Sequence, residues 1–522
     1  MRRAAQLTSI AVFLLFMSGC GGQSSVMTQG NTPSAGVPVS LTVTDTPPTG
    51  VSVLFFQLSI SAATLTNSSG GSVSLLPSNN SIPVNVTQLQ TDSAFLGSAS
   101  VPQGTYNGLS VTFSGSSQLT IYNGSGAAIG SCVNDSVCQL TPVPAPLTLT
   151  FPAAGASSTA PFPIDLTASS PLAFKLDIHL DTVIQSDLSV NLAATNGVTL
   201  SQLPTPPSGP ISALGHLLGT IQSVNSTASP NNFTLQTGDG RTFTIDVSSS
   251  TTYNNFPTSA CSTGAFSCLA AQQVVKVEVS LQTDGTLLAS AVNYVQAAGQ
   301  MVVEGNIIRL STSNGNTVMD MIVQQGPPKA TAMVPFGRRV TVTVPATGVT
   351  YAIDNGTFAI PSGLTFASAT DLMVGQQVSV VVQGSVAVAG GSSNPGPITA
   401  PAATTFTTSS ITLEPSQITG SVAAIDQGDL SFTLSTLPMF FVPAAATAGS
   451  PPPWVPVNIT IQTTSGTTFT NFTPATFAGL VSSGVNSVVS VQGWVFSTPN
   501  STPTVTVAAE GVLLRPGPTP LF

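Results

Sequence analysis

Three valine-rich segments decide the fold: Val274-Val-Lys-Val277, Val378-Ser-Val-Val-Val-Gln-Gly384 and Val488-Val-Ser-Val-Gln-Gly493. Each of them reads as a β-strand, because β-branched residues pack well on a pleated surface. They recur at intervals of roughly a hundred residues, which is typical of a chain that repeats one structural unit. The second half of the sequence is therefore predicted to contain three copies of a β module.

Two further elements accompany each of these valine-rich strands. The first is a glycine-containing strand that opens the unit, at Leu218-Gly-Thr-Ile221, Val303-Glu-Gly-Asn-Ile307 and Ile418-Thr-Gly-Ser-Val422. The second is a threonine followed by an aromatic residue, at Thr252-Tyr253, Thr350-Tyr351 and Thr468-Phe469. Five or six short strands can close into a barrel that leaves no free edge. We expect three small β-barrel-like modules, over residues 213–298, 299–415 and 416–515.

The rest of the chain from residue 37 onward is also predicted to be β, which makes the fold class all-β. Residues 37–200 alternate apolar with Ser, Thr and Asn residues and predict a β-sandwich. A Pro-rich linker over residues 201–212, centred on Leu203-Pro-Thr-Pro-Pro-Ser-Gly-Pro210, separates this domain from the modules. Turn dipeptides predict hairpins at Asn123-Gly124, Asp239-Gly240, Asp284-Gly285, Asn314-Gly315 and Asn355-Gly356.

The first domain resembles a family of bacterial lipoprotein domains of unknown function, DUF4382. The resemblance rests on a strand that ends in Thr44-Asp-Thr-Pro47, on Val51–Leu65 read as a strand pair, on Pro102-Gln-Gly-Thr-Tyr106, and on the acidic strand Lys175–Asp181. The three later units resemble another family without known function, DUF5666, which consists of small β-barrels. Neither resemblance implies an activity or catalytic residues.

The N-terminus predicts export and lipidation. Arg2 and Arg3 precede the apolar run Ile10–Met17, which is too short to span a bilayer as a helix. The sequence Met17-Ser-Gly-Cys20 resembles a lipobox, so residues 1–19 are expected to be a signal peptide and Cys20 to carry lipid, including palmitate-type acyl chains. Residues 20–36 would form a flexible tether. Gly21 favours the outer membrane, and an ordinary signal peptide with an incidental cysteine is the alternative.

The four other cysteines form two pairs that are close in sequence. Cys132 with Cys138 and Cys261 with Cys268 are expected to form two local disulfides in an oxidising compartment. A metal site is the competing interpretation, but neither pair has the C-x-x-C spacing or a neighbouring histidine.

Composition and motifs exclude several functions. Only 10 Lys and Arg stand against 19 Asp and Glu, which argues against nucleic acid as a partner. There is no Gly-x-Ser-x-Gly motif, and a catalytic triad would need one of the two histidines, His179 and His216. The four glutamates lie within or beside predicted strands. The chain is therefore not expected to be an enzyme or to hold a cofactor. Trp454 and Trp494 are too few for an aromatic sugar-binding platform.

Two groups of polar residues could bind a ligand, but each also has a simpler structural interpretation. Lys175, Asp177, His179 and Asp181 alternate along one predicted strand, and two carboxylates beside an imidazole could bind a divalent cation. A solvated polar strand face is the favoured interpretation, with Leu176, Ile178 and Leu180 facing the core. Asp45 is expected to cap the turn that follows it, and a ligand-binding role is the alternative.

These observations predict a non-enzymatic lipoprotein of the cell envelope that acts as a structural, adhesive or binding module. Its partners would be the membrane, through the N-terminal lipid, and an envelope protein or a glycan. A glycan- or cation-binding lipoprotein is the first alternative, and an envelope hydrolase is the second. A string of separate convex modules would favour a stalk, whereas a large polar cleft would favour binding or catalysis.

Overall fold

The chain forms β-strands wherever Val, Thr and Ile alternate with small polar residues. The computed structural model describes residues 36–515, apart from 47–51, 77–80, 124–126, 134–135, 141–145, 153–160, 169–170, 258–260, 262–264, 297–300, 384–395, 398–404, 427–430, 435–457, 474–475, 477–486 and 499–503. The predicted signal peptide, the lipidation site Cys20, the tether and Trp454 lie outside the described residues.

The first domain consists of eleven described strands, as its alternating sequence predicts. They are β1 Val37–Thr46, β2 Ser52–Asn67, β3 Ser72–Ser74, β4 Ile82–Asn85, β5 Ala94–Val101, β6 Gly104–Asn123, β7 Ser136–Leu140, β8 Leu147–Phe151, β9 Ile164–Leu166, β10 Leu172–His179 and β11 Val198–Leu203. A 3₁₀ helix, Val86–Gln88, follows β4, and a short helix α1, Leu180–Val183, follows β10. The predicted strand pair Val51–Leu65 is wrong, because its described residues, 52–65, belong to one long strand, β2.

These strands form two sheets around a shared core. One sheet has the order β11-β10-β1-β5, with β1 parallel to β10. The other is built on the long antiparallel pair β2 and β6, with β3 and β4 along β2 and β7, β8 and β9 along β6. Leu41 and Phe174 from the first sheet pack in one core with Phe56 and Phe113 from the second. The first domain is therefore a β-sandwich, as its sequence predicts.

The remaining strands form three modules. The first contains β12 Pro210–Ala213, β13 Leu217–Asn225, β14 Asn232–Thr237, β15 Thr242–Asn254, β16 Val274–Gln282 and β17 Leu287–Gln296. The second contains β18 Met301–Ser313, β19 Asn316–Gln325, helix α2 Pro328–Met333, β20 Arg339–Val344, β21 Thr350–Ile353, β22 Gln377–Gln383 and β24 Thr405–Glu414. A two-residue strand, β23 Gly396–Pro397, lies between β22 and β24 in sequence but pairs with β7 of the first domain. The third contains β25 Ser416–Asp426, β26 Ser431–Leu434, β27 Asn458–Gln462, β28 Thr468–Thr470, β29 Val488–Thr498 and β30 Thr504–Leu514. Two 3₁₀ helices, Phe266–Cys268 and Ala369–Asp371, precede β16 and β22.

Each module closes into the same five-stranded barrel. The orders are β16-β13-β14-β15-β17, β20-β19-β18-β22-β24 and β27-β26-β25-β29-β30, and in each case the first and last strands also pair. One seam in each barrel is parallel: β15 with β17, β20 with β24, and β27 with β30. The valine-rich segments form the equivalent strands β16, β22 and β29. The predicted barrel-like modules are therefore confirmed.

The threonine–aromatic repeat has a structural basis. Thr252, Thr350 and Thr468 each sit on a short strand segment that runs parallel to the last strand of the module. The hydroxyl group of each donates to a carbonyl oxygen of that strand, at 3.4, 3.4 and 3.0 Å; the acceptors in chain order are Ser290, Ser409 and Glu510. The same bond thus fastens the same segment in all three barrels.

The opening strand of the module needs its glycine for close approach to the next strand. A Cβ atom on Gly305 would lie 2.3 Å from the carbonyl oxygen of Ile322. On Gly219 it would lie 2.4 Å from the carbonyl oxygen of Gln236. Both distances are shorter than any real contact, so only a residue without a side chain allows these strands to pair.

Three of the five turn dipeptides connect antiparallel strands as predicted. Gly240, Gly285 and Gly315 all have positive φ and lie between paired strands. Asn355-Gly356 forms a turn after β21 but does not connect a hairpin, so that prediction is wrong. Gly124 lies outside the described residues.

Both predicted cysteine pairs are disulfide-bonded, with Cα–Cα distances of 5.8 Å for Cys132–Cys138 and 4.9 Å for Cys261–Cys268. No helix among the described residues has the length and apolar character that a membrane crossing requires.

The domains pack against one another and are not separate modules. Strands β11 and β12 extend into the predicted linker and leave only residues 204–209 between them. Trp494 of the third module packs in the core of the second, stacked on Phe358 with 5.1 Å between ring centroids. Phe95 of the first domain packs against the core of the first module. The described residues from Gly36 onward belong to one compact unit.

Candidate functional site

The loop between β4 and β5, residues 86–93, is held by hydrogen bonds from its own domain and from the modules. The Thr44 hydroxyl bonds to the carbonyl oxygens of Leu89 and Asp92, both at 3.0 Å. From the third module, the side chain of Gln417 donates to the Gln88 carbonyl oxygen at 2.8 Å and accepts from the Gln90 amide at 2.8 Å. These bonds fix an irregular segment that would otherwise need solvent to satisfy its backbone.

The 86–93 loop borders a cavity with a volume of about 220 Å³, to which all four domains contribute. The first module supplies the Gly238–Arg241 turn, the second supplies residues of β18 and β19, and the third supplies residues of β25 and β29. A single buried water needs only about 10–15 Å³ on a comparable measure. The cavity can therefore hold a small organic molecule.

Side-chain amides dominate the polar lining of this cavity. They come from the first domain and from the second and third modules: Gln57, Asn85, Gln88, Gln90, Asn306, Gln324, Gln325, Gln377, Gln417 and Gln492. An amide both donates and accepts hydrogen bonds, so this lining suits a polar ligand.

Asp45 lines the cavity with a carboxylate that is 0 % exposed. Neither of its oxygens accepts a hydrogen bond from any residue that the structure describes, and the amide nitrogen of Gln88 in the same cavity also lacks a partner. The turn that Asp45 was predicted to cap lies largely outside the described residues. Buried polar atoms are nearly always paired, because an unpaired one costs about 1–3 kcal/mol. Asp45 and Gln88 are thus positioned to bond a ligand.

Two carboxyl groups of the cavity have raised pKa values. Burial raises the pKa of Asp45 well above its usual range, and the charges of Asp177 and Asp181 add to this, while Arg515 opposes it. Burial also raises the pKa of Asp92 to about 6, with His216 lowering it and Glu278 raising it. Burial therefore favours the protonated, neutral form of both groups, and a positive charge bound beside them would favour their ionisation.

A buried ionic cluster lies beside the cavity and joins the first two modules. Lys276 of β16 donates to Asp354 at 2.8 Å and to Glu414 at 2.5 Å. Nearby, His216 lies 3.4 Å from Glu304, which also accepts hydrogen bonds from the amides of Gln325 and Gln377. Removing one member would leave a buried charge without a partner, at a cost of about 3–5 kcal/mol.

The cluster contains carboxyl groups with opposite pKa shifts. Burial raises the pKa of Glu414 to about 8 in spite of the charge of Lys276, and burial raises that of Glu510 to about 7. Burial alone would raise the pKa of Glu304 as well, but the charge and hydrogen bond of His216 lower this pKa to about 2. Burial and the charge of Lys276 lower the pKa of His216, and the attraction of Glu304 raises it by more.

The residues proposed as a cation site are not brought together as predicted. Asp177 and His179 lie on β10, but the strand ends at His179, and Asp181 lies in α1, where it is buried. The His179 Nε2 atom is 3.9 Å from Asp177 and 3.2 Å from the hydroxyl of Thr199. In the described part of the chain, no group of three or more His, Cys, Asp or Glu residues is arranged to hold a metal ion. Leu176, Ile178 and Leu180 are fully buried, as predicted.

Sequence reasoning missed the cavity and the ionic cluster. Asp45 and the glutamines lie far apart in sequence, and no local spacing connects them. Lys276 offered one signal, since it interrupts an apolar run in a chain with only 6% charged residues. Such a lysine is rarely buried without a carboxylate partner.

A family model for a domain of unknown function, DUF4382, matches residues 37–201. The predicted resemblance of the first domain is therefore confirmed. No curated protein matches the chain.

The pKa shifts predict that stability falls as pH rises. In the folded chain Asp92, Glu414, Glu510 and His216 keep their protons to a higher pH than in the unfolded chain, because each folded pKa is raised. Unfolding between about pH 5 and pH 8 then releases protons, so the free energy of unfolding decreases with pH across that window. We expect a lower melting temperature at about pH 8 than at about pH 5 in scanning calorimetry.

Glu414→Gln should flatten this dependence, because the amide cannot titrate. Asp284→Asn, on an exposed turn, should leave it unchanged. A melting temperature that rises from pH 5 to pH 8 would contradict the assignment.

Proposed function

We propose that the protein is a non-enzymatic binding protein that holds a small polar ligand in the cavity between its four domains. The observation that carries this proposal is Asp45, a fully buried carboxylate that lines the cavity and accepts no hydrogen bond within the described residues. The surrounding amides supply further donors and acceptors. Preformed concave sites with a few converging polar groups are typical of ligand-binding proteins.

The surroundings of the two histidines support binding over catalysis. His216 contacts Glu304 and Gln325, which offer no hydroxyl or thiol for a catalytic triad. His179 contacts Thr199 and Asp177 through the same ring nitrogen. A catalytic triad needs the carboxylate and the nucleophile on opposite ring nitrogens. An envelope hydrolase is therefore the weaker candidate.

The packing of the domains supports a binding protein over an extended stalk. The modules share cores and place polar side chains around one cavity, as expected of a protein whose domains work together. The family of small barrels that the modules resemble, DUF5666, has no known activity and adds no further candidate.

We also propose that this protein acts in the cell envelope, attached through lipid on Cys20 and lying on the outer membrane. The lipobox-like Met17–Cys20 segment is the basis for this, and the two disulfides suit an oxidising compartment. Two or more acyl chains would hold the protein stably on a membrane, since each buried CH₂ contributes about 0.8 kcal/mol.

Lipidation can be tested on protein purified from the native membrane. Mass spectrometry should find an N-terminal peptide that begins at Cys20 and carries diacylglycerol and a further acyl chain. The Cys20→Ala variant should lack this peptide and appear in the soluble fraction. An unmodified Cys20 or an intact leader in the native protein would rule out the lipid anchor.

The cavity can be tested by filling it. A library of small polar metabolites is screened by thermal shift on the purified protein, and the compounds that raise the melting temperature are then measured by calorimetry. Gln88→Trp should abolish their binding, because the indole would occupy the cavity beside Asp45. The control is Val133→Trp, at a side chain that is 48% exposed, and it should bind normally. The proposal fails if no compound binds, or if Gln88→Trp binds as well as the wild type.

A further inference from the structure

The cavity has more negative groups than positive groups available to a ligand. Its one arginine, Arg241, donates to Asp239 at 2.6 Å and to the Phe95 carbonyl oxygen at 2.7 Å, so both ends of its guanidinium are engaged. His216 is held by Glu304. Asp45 and Asp92 form no ion pair among the described residues. Arg515, which is not part of the lining, acts on Asp45 with one positive charge, and Asp177 and Asp181 act on it with two negative charges. The electrostatic balance around Asp45 therefore favours a cation.

The backbones of Asp45 and Asp92 lie close together at the edge of the cavity. The Asp45 backbone amide donates to the Leu89 carbonyl oxygen at 3.2 Å, and the adjacent Thr44 hydroxyl bonds to the Asp92 carbonyl oxygen. The Asp92 carboxylate receives a side-chain bond from Gln417 at 3.2 Å. Asp45 is therefore the acidic side chain of the cavity that lacks a partner among the described residues.

The chemistry of the wall selects among cations. Calcium takes six to eight oxygen ligands, and magnesium needs near-octahedral oxygen coordination. The described residues contain no cluster of three or more acidic or histidine ligands, which argues against a divalent metal. An ammonium group carries three donors and needs only a few acceptors, and the two oxygens of Asp45 supply them. The amides around it can bond the polar remainder of an organic molecule.

We propose that the ligand is a small organic cation with a primary ammonium group, which binds the carboxylate of Asp45. This inference rests on the proposed binding function and adds the chemical class of the ligand. The amide nitrogen of Gln88 would donate to an acceptor atom of the same molecule. Burial of Asp45 without a hydrogen bond is then the feature that the ligand compensates.

Binding of such a cation depends on pH in a defined direction. Burial raises the pKa of Asp45 well above its usual range, with Asp177 and Asp181 adding to this and Arg515 opposing it, so this group loses its charge as pH falls through the raised pKa. A cation prefers the ionised carboxylate, and its affinity should therefore weaken as pH falls, by up to about tenfold per pH unit below that pKa. Binding should also release protons, because the cation favours the charged form of Asp45.

The test uses the full mature chain and a panel of probes. Ethanolamine, putrescine and glucosamine represent ammonium compounds of increasing size; 1,4-butanediol and glucose are neutral matches, succinate is the anionic match, and calcium chloride represents the metal. Calorimetry should detect binding of at least one ammonium probe and of none of the others. Titrations in two buffers of different ionisation enthalpy should reveal proton release.

Asp45→Asn should weaken the ammonium probe at least tenfold, whereas Asp284→Asn should change its affinity less than twofold. The melting temperature of Asp45→Asn should equal or exceed that of the wild type, since the variant removes a buried charge. That result separates loss of binding from loss of folding.

The outcomes distinguish the two proposals. If neutral sugars or calcium bind, if Gln88→Trp blocks them, and if Asp45→Asn does not weaken them, the ammonium class is wrong and the cavity function stands. If no ammonium probe binds, or if Asp45→Asn binds one as tightly as the wild type, the ammonium class is also overturned. If neither these probes nor the metabolite library binds, both proposals fail.

Discussion

The positive charge of Lys276, only 3 % exposed, is the constraint around which the modules are arranged. A buried ammonium needs carboxylate partners, and both of its partners, Asp354 and Glu414, belong to the next module. The two barrels must therefore meet in one orientation. Trp494 extends the same junction to the third module, because its indole nitrogen donates to the Asp354 carbonyl oxygen at 3.1 Å. The first domain joins through its 86–93 loop.

This arrangement explains why a cavity exists at the centre. Apolar contacts join the domains at some junctions, as Trp494 does between the second and third modules, and side-chain amides line the space that the four domains enclose. Most of these polar groups find partners across domain boundaries, as Gln417 does on the 86–93 loop. Asp45 differs from them, because its carboxylate accepts no hydrogen bond from any described residue. Proteins keep such a destabilising group where function requires it, which is why we assign it to a ligand.

The barrels could be predicted from sequence because their determinants are local and repeated. The glycine at Gly305, the threonine at Thr350 and the valine run at Val378 have counterparts at matching places in all three modules. Each of these elements determines how a strand contacts its neighbour. The hairpins at Asp239, Asp284 and Asn314 were predicted for the same reason. The Asn355-Gly356 dipeptide wrongly predicted a hairpin, because such a dipeptide indicates a turn but not whether the strands on either side of it pair. Asp181 was predicted to lie on the same strand as Asp177, but β10 ends at His179. The alternating pattern alone does not indicate where a strand ends.

The cavity could not be predicted, because it depends on how whole domains meet. Asp45 was expected to cap a turn, which is the usual local role of an aspartate before proline. The cavity that it lines also includes Gln417, Gln492 and other residues that lie hundreds of positions away. Likewise, the glutamates Glu304 and Glu414 looked like isolated strand residues until the barrels brought them to His216 and Lys276.

Differential scanning calorimetry of the mature chain tests the central claim, that buried polar pairs lock four domains into one unit. The account predicts a single cooperative transition, with equal calorimetric and van't Hoff enthalpies. It also predicts that Lys276→Met separates that transition into at least two, because the barrels then lose the charge that joins them. Independent transitions of the barrels in the wild-type protein would contradict it.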